Sequence, residues 1–467
     1  MKRLLPFFAF IFISLISLAQ YENFDLSKYK LPDIKRHQLD FKFGIDNDYS
    51  SRTFDNEDRF SKLDFNQDFE AKYNYYFNSQ KRQSNFSGIL DTDLQLDRTK
   101  NNQENPLKKE DTDINLNFNL DNYYYLIEDK WFIHVQPNIQ FSYYQNKDKL
   151  LNFDKDDYPA QDVGGGVLYP IVDIKSIDYS INLMPKLNIG YGYGRIEPVG
   201  DLRHAIYIID ELVKNNRIKR DLSEQEIILI ASKISELKNQ RFFDSRLRKI
   251  YEIKSIDSVL TQMGIVDDSD AVYFTSLSDI WDFGGQLRSH GTRILFDVNG
   301  ELINQYFKDY NKKYDSQIDD FTEIENKSTE KYETFGALIS LQSNKPIGLK
   351  WQRYLNLSPY YNISTGNLKY WYGVNLNYML NWYLNTRTNA QIHARINYNK
   401  SKRIDREEYL SEYLNSHIQG YLSYYLSPRL RLHFYSGINN RWYLDDYSSY
   451  RSSLSFYSSI GLRYAIF

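Results

Sequence analysis

Three features are scarce in this sequence, and each absence excludes a class of protein. None of the 467 residues is cysteine, which excludes a disulfide scaffold, a thiolate zinc site and a lipid-anchored cysteine. Beyond the N-terminus no apolar run reaches the roughly 20 residues that a spanning helix needs. Neither charge sign is in excess, because 58 basic residues face 61 acidic ones, and this balance argues against nucleic acid as a partner.

Tyrosine is the residue type that the sequence has in excess. The chain contains 42 tyrosines and 16% aromatic residues, although its mean hydropathy is polar at -0.61. An ordinary soluble core does not need so many tyrosines, so their positions along the chain must explain them.

The N-terminus has the features of a signal peptide. In residues 1–19 two basic residues precede an apolar stretch, and Ser17 and Ala19 are small residues at the positions that a signal peptidase reads. We expect cleavage after Ala19 and export, rather than a retained anchor helix, because the stretch is short for a span. Residues 20–36 would then form an N-terminal periplasmic segment.

Residues 37–194 and 291–467 alternate, with an apolar side chain at every second position over long stretches. Strands of soluble sheets usually have about 5 to 6 residues, whereas a tilted strand of about 9 to 11 residues crosses a bilayer. Aromatic residues at the row ends suit the headgroup level of a membrane. The pattern predicts an all-β fold, a transmembrane antiparallel β-barrel of about 14 strands, with a soluble sandwich as the alternative.

The connections between these strands sort by length. Alternating from a periplasmic N-terminus, one side receives short turns, and the other receives mostly long loops, as in single-chain outer-membrane barrels. The expected long loops are residues 46–60, 98–112, 145–178, 311–330, 399–411 and 439–449.

The last residues carry a resemblance. The segment Ser459-Ile460-Gly461-Leu462-Arg463-Tyr464-Ala465-Ile466-Phe467 resembles the terminal strand of Gram-negative outer-membrane β-barrel proteins, a porin-like class. The resemblance implies residence in the cell outer membrane, contact with its lipid, and recognition of Tyr464 and Phe467 by the barrel assembly machinery. Phe467 departs from the pattern because it stands one position out of phase with Tyr464.

Residues 195–290 interrupt the alternation with helical spacing. Three amphipathic helices follow one another, the second opened by the capping box of Ser223 and Glu226, and Asp270 to Trp281 suggests a shorter fourth. The sequence thus predicts an α-helical insert of three to four helices, on the periplasmic side by strand count. It resembles the inserts of uncharacterised barrel proteins.

Three roles are open for the insert. It could be a bundle that covers the barrel mouth, a docking platform for a periplasmic protein partner, or a plug inside the lumen. A basic ridge on the third helix, Arg241, Arg246 and Arg248, is the candidate partner-binding surface.

The positions between the apolar rows would face the lumen. The candidate acidic wall is Asp64, Asp68, Glu70, Asp91 and Asp93, and the candidate basic wall is Lys350, Arg395, Arg429, Arg431 and Arg463. The two walls could create a transverse field that selects polar solutes, or pair across the lumen and hold it shut. Inward aromatic and amide side chains also suit the passage of saccharides.

No catalytic constellation, metal site or cofactor motif is evident. Four strand histidines fall on inward positions, but no motif ties them to a nucleophile: His134, His393, His417 and His433. The leading expectation is a channel or export conduit for hydrophilic solutes, with saccharides as one candidate. The alternatives are a structural or assembly component whose insert docks a periplasmic partner and, third, an outer-membrane enzyme.

Overall fold

The computed structural model describes residues 24–53, 59–101, 107–127, 130–151, 153–159, 161–162, 167–239, 245–266, 269–285, 287–366, 368–403, 409–427, 430–444 and 451–464. Fourteen of its strands form one antiparallel sheet in which each strand pairs with its neighbours in the chain. They are β1 Ile34–Thr53, β2 Arg59–Asn78, β3 Arg82–Asn101, β4 Leu107–Ile127, β5 Trp131–Leu150, β6 Ile171–Pro198, β7 Ser289–Asp315, β8 Asp320–Ile347, β9 Trp351–Ser364, β10 Leu368–Tyr383, β11 Thr388–Arg403, β12 Tyr409–Tyr425, β13 Leu430–Tyr443 and β14 Ser452–Tyr464.

Four helices lie between β6 and β7. They are α1 Gly200–Lys214, α2 Glu224–Lys238, α3 Ser245–Gln262 and α4 Ala271–Phe283. The prediction of an all-β barrel of about 14 strands with a helical insert is therefore confirmed, with four helices in the insert. None of the helices in the described ranges is both long and apolar enough to cross a membrane.

The alternation of apolar and polar residues in the sequence gives the sheet two chemically different faces. Apolar side chains of most strands stand exposed on the outer face, where Phe41 is 67% and Ile418 58% accessible. A soluble sheet would bury such a face, so the exposure fits a surface that lipid covers. The inner face carries amides, carboxylates, basic groups and tyrosines.

The long loops that the sequence predicts are largely strand. Strands β7 and β8 run for 27 and 28 residues and meet in a turn at residues 316–319, inside the expected loop 311–330. Where both faces of a hairpin are polar, an apolar period of two is absent and sequence alternation does not reveal the strands. Cross-strand ion pairs support this ladder instead, among them Lys312 to Glu323 at 2.8 Å and Lys308 to Glu325 at 2.9 Å.

The sheet is curled, because side chains on strands that are not neighbours meet on its inner face. The His134 ring on β5 reaches Asp297 on β7 at 2.8 Å, and the Arg293 guanidinium on β7 lies 3.8 Å from the centre of the Tyr123 ring on β4. These contacts span one and two intervening strands, respectively.

The strands are also strongly staggered. A row of paired residues that starts at the short-turn end of β1 finishes at the long-loop end of β14. The row runs through Ile34, Asn78, Gln83, Tyr123, His134, Gly190, Asp297, Leu338, Tyr360, Gly373, Asn399, Tyr413 and Tyr443 to Arg451. Among the described residues, β1 pairs only with β2, and β14 only with β13.

Local sequence explains the helix boundaries. Ser223 and Glu226 form the expected capping box at the start of α2, and Asp270 caps α4 by accepting a hydrogen bond from the Tyr273 amide at 3.0 Å. Gly264 ends α3 with φ of +65°, a left-handed conformation that favours glycine. Arg217 reaches Asp270 at 2.7 Å and ties the end of α1 to the start of α4.

The largest apolar core lies in the insert and not in the barrel. It joins buried faces of α1, α2, α3 and α4 to the segment that precedes β1, which we call the N-terminal strap, residues 24–33. Strap residues Leu26, Tyr29 and Leu31 are buried in this core. The Tyr29 hydroxyl lies 2.8 Å from that of Ser235, and Lys28 pairs with Glu224 at 2.7 Å.

Candidate functional site: the inner wall and its covered mouth

Amide side chains form hydrogen-bonded steps along the inner wall. The Gln136 amide donates to Asn119 at 3.1 Å and accepts from Asn188 at 2.7 Å, so one step spans β4, β5 and β6. On the opposite half, Asn397 donates to Asn375, and Asn399 donates to the Tyr360 hydroxyl at 2.9 Å. An amide that is held in this way still has donors and acceptors to offer to a solute in the lumen.

The acidic wall predicted from sequence is brought together on neighbouring strands. The pairing sets Asp68 opposite Asp93 and Glu70 opposite Asp91, and Asp64 faces Asp97 on the same two strands, β2 and β3. Nearby lysines pair with two of these carboxylates: Lys42 lies 3.1 Å from Asp68 and Lys62 lies 2.8 Å from Asp64. Like charges directly opposite each other destabilise a sheet. Packing alone therefore does not explain why these carboxylates face each other.

The basic wall is not one surface. Arg395 lies in the middle of β11 and donates to Asn377 at 2.9 Å, while Lys350 belongs to the turn between β8 and β9. Arg431 and Arg463 pair across β13 and β14 near the short turns, and Arg431 donates to the Tyr425 hydroxyl at 3.3 Å. Arg429 lies outside the described residues. Sequence alternation predicts which face a side chain is on but not its height along the barrel, so it cannot distinguish these positions.

A buried polar network fixes the inner wall near the short-turn end. His134 places one ring nitrogen 2.7 Å from Asp121 and the other 2.8 Å from Asp297, and it stacks on Tyr123. Gly190 makes the longer contact possible, because a β-carbon there would collide with the Asp297 carboxylate. The alternation predicts an inward His134, but its contact with Asp297 depends on the stagger and cannot be predicted from the sequence.

The insert is seated in the short-turn mouth. Arg387, in the turn between β10 and β11, lies 2.6 Å from Asp279 of α4, and its guanidinium stacks over Phe283. Phe283 also packs edge-on against Tyr425 of β12. At another part of the rim the insert core includes Tyr76 of β2 and Leu349 of the turn between β8 and β9. The contacts involve turns and the last residues of strands, which favours a mouth cover over a plug deep in the lumen.

Two buried arginines attach the insert to the rim. Arg288 donates to the carbonyls of Leu349, Gly348 and Trp351 at 2.7, 3.1 and 2.5 Å and to the Gln352 side chain at 3.0 Å.

Arg203 of α1 donates to the same Leu349 carbonyl at 3.0 Å, and both guanidiniums stack on Tyr383. Burial and the neighbouring Arg203 charge lower the pKa of Arg288 to about 10. Among the described ion pairs neither arginine has a carboxylate partner, and their charges are instead met by backbone carbonyls, the Gln352 side chain and tyrosine rings.

The basic ridge predicted on the third helix is only partly described. Arg241 lies outside the described residues, the backbone of Arg246 lies in α3 but its side chain is not described, and Arg248 is engaged with Glu252 of the same helix at 2.7 Å. Glu252 also accepts from the Trp281 indole at 2.8 Å, so this cation is tied to the insert core. Tyr464 ends β14, and Phe467 lies outside the described residues.

The described ranges contain no group of three or more His, Cys, Asp or Glu residues arranged to hold a metal ion. Of the other strand histidines, His417 contacts the Tyr457 hydroxyl at 3.2 Å and the Gln419 side chain at 3.4 Å.

Comparison with known proteins gives no family. No protein-family model matches the chain, and no curated protein matches it. Among solved structures, the translocator domain of autotransporter NalP from Neisseria meningitidis is similar over 96% of this chain and 94% of that chain, with 7% identity and a TM-score of 0.26. The transport unit of the autotransporter AIDA-I from Escherichia coli is similar over 96% and 97%, with 9% identity and a TM-score of 0.22. The RagAB peptide importer in the closed-closed state is similar over 83% and 50%, with 5% identity and a TM-score of 0.26. At these TM-scores the function must be argued from the chain's own residues.

Proposed function

We propose that this protein is an outer-membrane β-barrel conduit for hydrophilic solutes, whose periplasmic mouth is covered by the helical insert. The observation that carries the proposal is the contrast between the two faces of one sheet: exposed apolar side chains outside and hydrogen-bonded amides and charges inside. A lipid-facing wall around a polar lumen allows polar molecules to cross a membrane without desolvation.

Saccharides are the solute class that the lining suits best. Amides such as Asn119, Gln136 and Asn399 can exchange hydrogen bonds with sugar hydroxyls, and inward tyrosines such as Tyr360 offer ring faces. If the lining binds saccharides, neutral oligosaccharides should block the ion current more than polyethylene glycol of equal size. Gln136→Leu should reduce that block, and the outward Val135→Leu should leave it unchanged. Equal block by both polymers would remove saccharides from the proposal.

The insert is the proposed gate, because it contacts the rim at widely separated strands. Asp279→Cys with Arg387→Cys places a thiol on each side of one rim contact, and the chain has no other cysteine. A bis-methanethiosulfonate crosslinker between them should suppress current in planar bilayers, and reductant should restore it. The single-cysteine variants, treated in the same way, are the controls. Absence of current in every form, including a variant with residues 200–283 replaced by a short linker, would contradict the conduit.

The second candidate is a structural or assembly role through a periplasmic protein partner. It is favoured by an exposed apolar set on α3, in which Leu247 and Ile250 are 53% and 46% accessible beside the Arg248 and Glu252 pair. A photocrosslinker at position 250 should capture a discrete periplasmic protein in cells, and one at exposed Lys254 on the same helix should not. Failure of position 250 to capture any protein would remove this candidate. The expectation that the protein is not an enzyme stays a prediction, and unchanged lipid turnover on losing the protein would support it.

A further inference from the structure

An apolar groove opens at the start of β1. It has a volume of about 590 Å³ and is formed by the N-terminal strap and first residues of β1, by α2 and by α3. Ile34, Leu229, Val259 and Met263 supply its apolar surface, and Leu229 is 57% accessible. No β2 residue lines the groove. It lies at the end of β1, between the N-terminal strap and the two helices.

The side of β1 that faces away from β2 is a free edge of the described sheet. Within the described chain β1 has β2 as its one ladder partner, and β14 has only β13. Unpaired backbone groups cannot remain exposed in hydrocarbon, so an end strand in a bilayer needs a partner. The two end strands run in opposite directions and can satisfy each other.

The stagger of the sheet fixes which parts of the two strands would meet. The row from Ile34 arrives at Arg451, at the other end of the barrel. A strand tilt of about 35–45°, with a rise of about 3.3 Å per residue and a strand spacing of about 4.8 Å, corresponds to a stagger of about 14 to 20 residues round fourteen strands. At the lower staggers of about 14 and 16, the residue beside Ile34 is Ala465 or Phe467, respectively.

Phase supports the same placement. Arg463 has the inward phase of β14, and continuing the alternation gives Ala465 and Phe467 that phase as well, while Ile466 takes the outward one. Phe467 was the residue that stood out of phase with a lipid-facing terminal strand.

We infer that Ala465–Phe467 docks against the start of β1 and that the Phe467 ring fills the groove between the strap, α2 and α3. The groove volume exceeds that of one aromatic side chain, and its apolar lining matches the Ala-Ile-Phe segment. Barrel closure and insert seating are then one event, because the groove exists only when the strap has packed on the helices. Phe467, one of the two residues expected to signal to the assembly machinery, becomes hidden once the barrel is complete.

Thiol labelling in the full-length protein tests the docking. Leu229→Cys should react with a maleimide roughly tenfold more slowly when Phe467 is present than in Phe467→Ala. Ile466→Ala, which removes the outward neighbour, should leave the slow rate unchanged. Equal labelling in all three, or an equal effect of Ile466→Ala, would overturn the inference, and so would protection that depends on protein concentration and not on Phe467.

A crosslinking arm keeps Phe467 intact in case its replacement prevents assembly. Met263→Cys with Ala465→Cys should crosslink through a short bis-methanethiosulfonate in the heat-resistant folded form. Leu247→Cys, which is twelve residues before Val259 on α3 and about 18 Å along the helix from it, should not crosslink to Ala465→Cys. Crosslinking of neither pair, or of both equally, would contradict docking in the groove.

Discussion

At the scale of single residues, the insert contains a carboxylate whose ionisation holds a helix end. Glu226 accepts from the Ser223 amide at 2.8 Å, and Arg220 lies 2.6 Å from it. The Arg220 contact, followed by the Ser223 hydrogen bonds, lowers the pKa of Glu226 from 4.5 to about 2. Since the folded pKa lies below the usual one, its stabilisation is present above pH 4.5 and is lost as the pH falls toward 2.

We therefore expect the hydrogen-exchange protection factors of α2, which are corrected for the intrinsic pH dependence of exchange, to fall between pH 4.5 and about 2 in the native protein, and to fall much less in Glu226→Gln. The variant should already show the faster exchange at neutral pH, because the capping box is broken. Glu236→Gln, at the other end of α2, is the matched control. An unchanged pH profile in Glu226→Gln would show that another group controls this transition.

Arg288 makes the largest set of hydrogen bonds between the end of the insert and the rim of the barrel. Replacing it with methionine keeps most of the buried volume, but the Gly348 and Trp351 carbonyls lose this donor and the Leu349 carbonyl keeps only Arg203, at a cost of about 2–4 kcal/mol. Arg288→Met should make residues 200–283 cleavable by protease while the strands stay protected, and Lys254→Met, on the exposed side of α3, should not. Simultaneous loss of the strands would mean that the insert and barrel unfold as one unit.

At the scale of elements, period and capping could be read from sequence, whereas pairing distance could not. The lipid-facing rows have an apolar period of two, so they were predicted, and the capping box predicted the start of α2. The upper half of the hairpin of β7 and β8 has water on both faces and therefore no such period. The feature that would identify this part as strand is charge complementarity across the hairpin, as between Lys312 and Glu323. That complementarity can be recognised only when the register is already known.

The same limit applies to the candidate site. The inward phase of Asp68 and Asp93 could be predicted, and their adjacency follows from one hairpin register. The approach of Asp297 to His134 could not, because it depends on Gly190 of the strand between them and on the curl of the sheet.

The hairpin of β7 and β8 can be used to test whether residues 311–330 form paired strands or an irregular loop. Inserting one glycine between Gln317 and Ile318, in the turn, should be tolerated. The same insertion between Asn326 and Lys327 shifts the partners of every residue beyond it and reverses their facing. Limited trypsin digestion should cut the second variant at Lys308 or Lys312 and leave the first resistant. Equal resistance of both variants would mean that this region is not held by a ladder.

At the scale of the whole molecule, closure of the sheet between β1 and β14 is limited by the stagger to a few registers. On the outer face β1 exposes Phe43, and β14 exposes Phe456, Ile460 and Leu462 in the matching phase. Outward residues of β1 must lie beside outward residues of β14, so only even staggers are allowed. Staggers of about 14, 16, 18 and 20 set Phe43 opposite residues 456, 458, 460 and 462, respectively.

A cysteine scan reads the register directly, since the natural chain has no thiol. Phe43→Cys combined in turn with cysteine at 456, 458, 460 or 462 should give one strong disulfide, because only directly opposite residues bring their α-carbons within about 5.5 Å. Cysteine at 457 or 459, on the inner face, is the control and should not react with it. A disulfide at 456 or 458 would place residues 465–467 beside residues 32–36, where the groove opens. Full reactivity of every outer position to a soluble maleimide would instead mean that the wall stays open between β1 and β14.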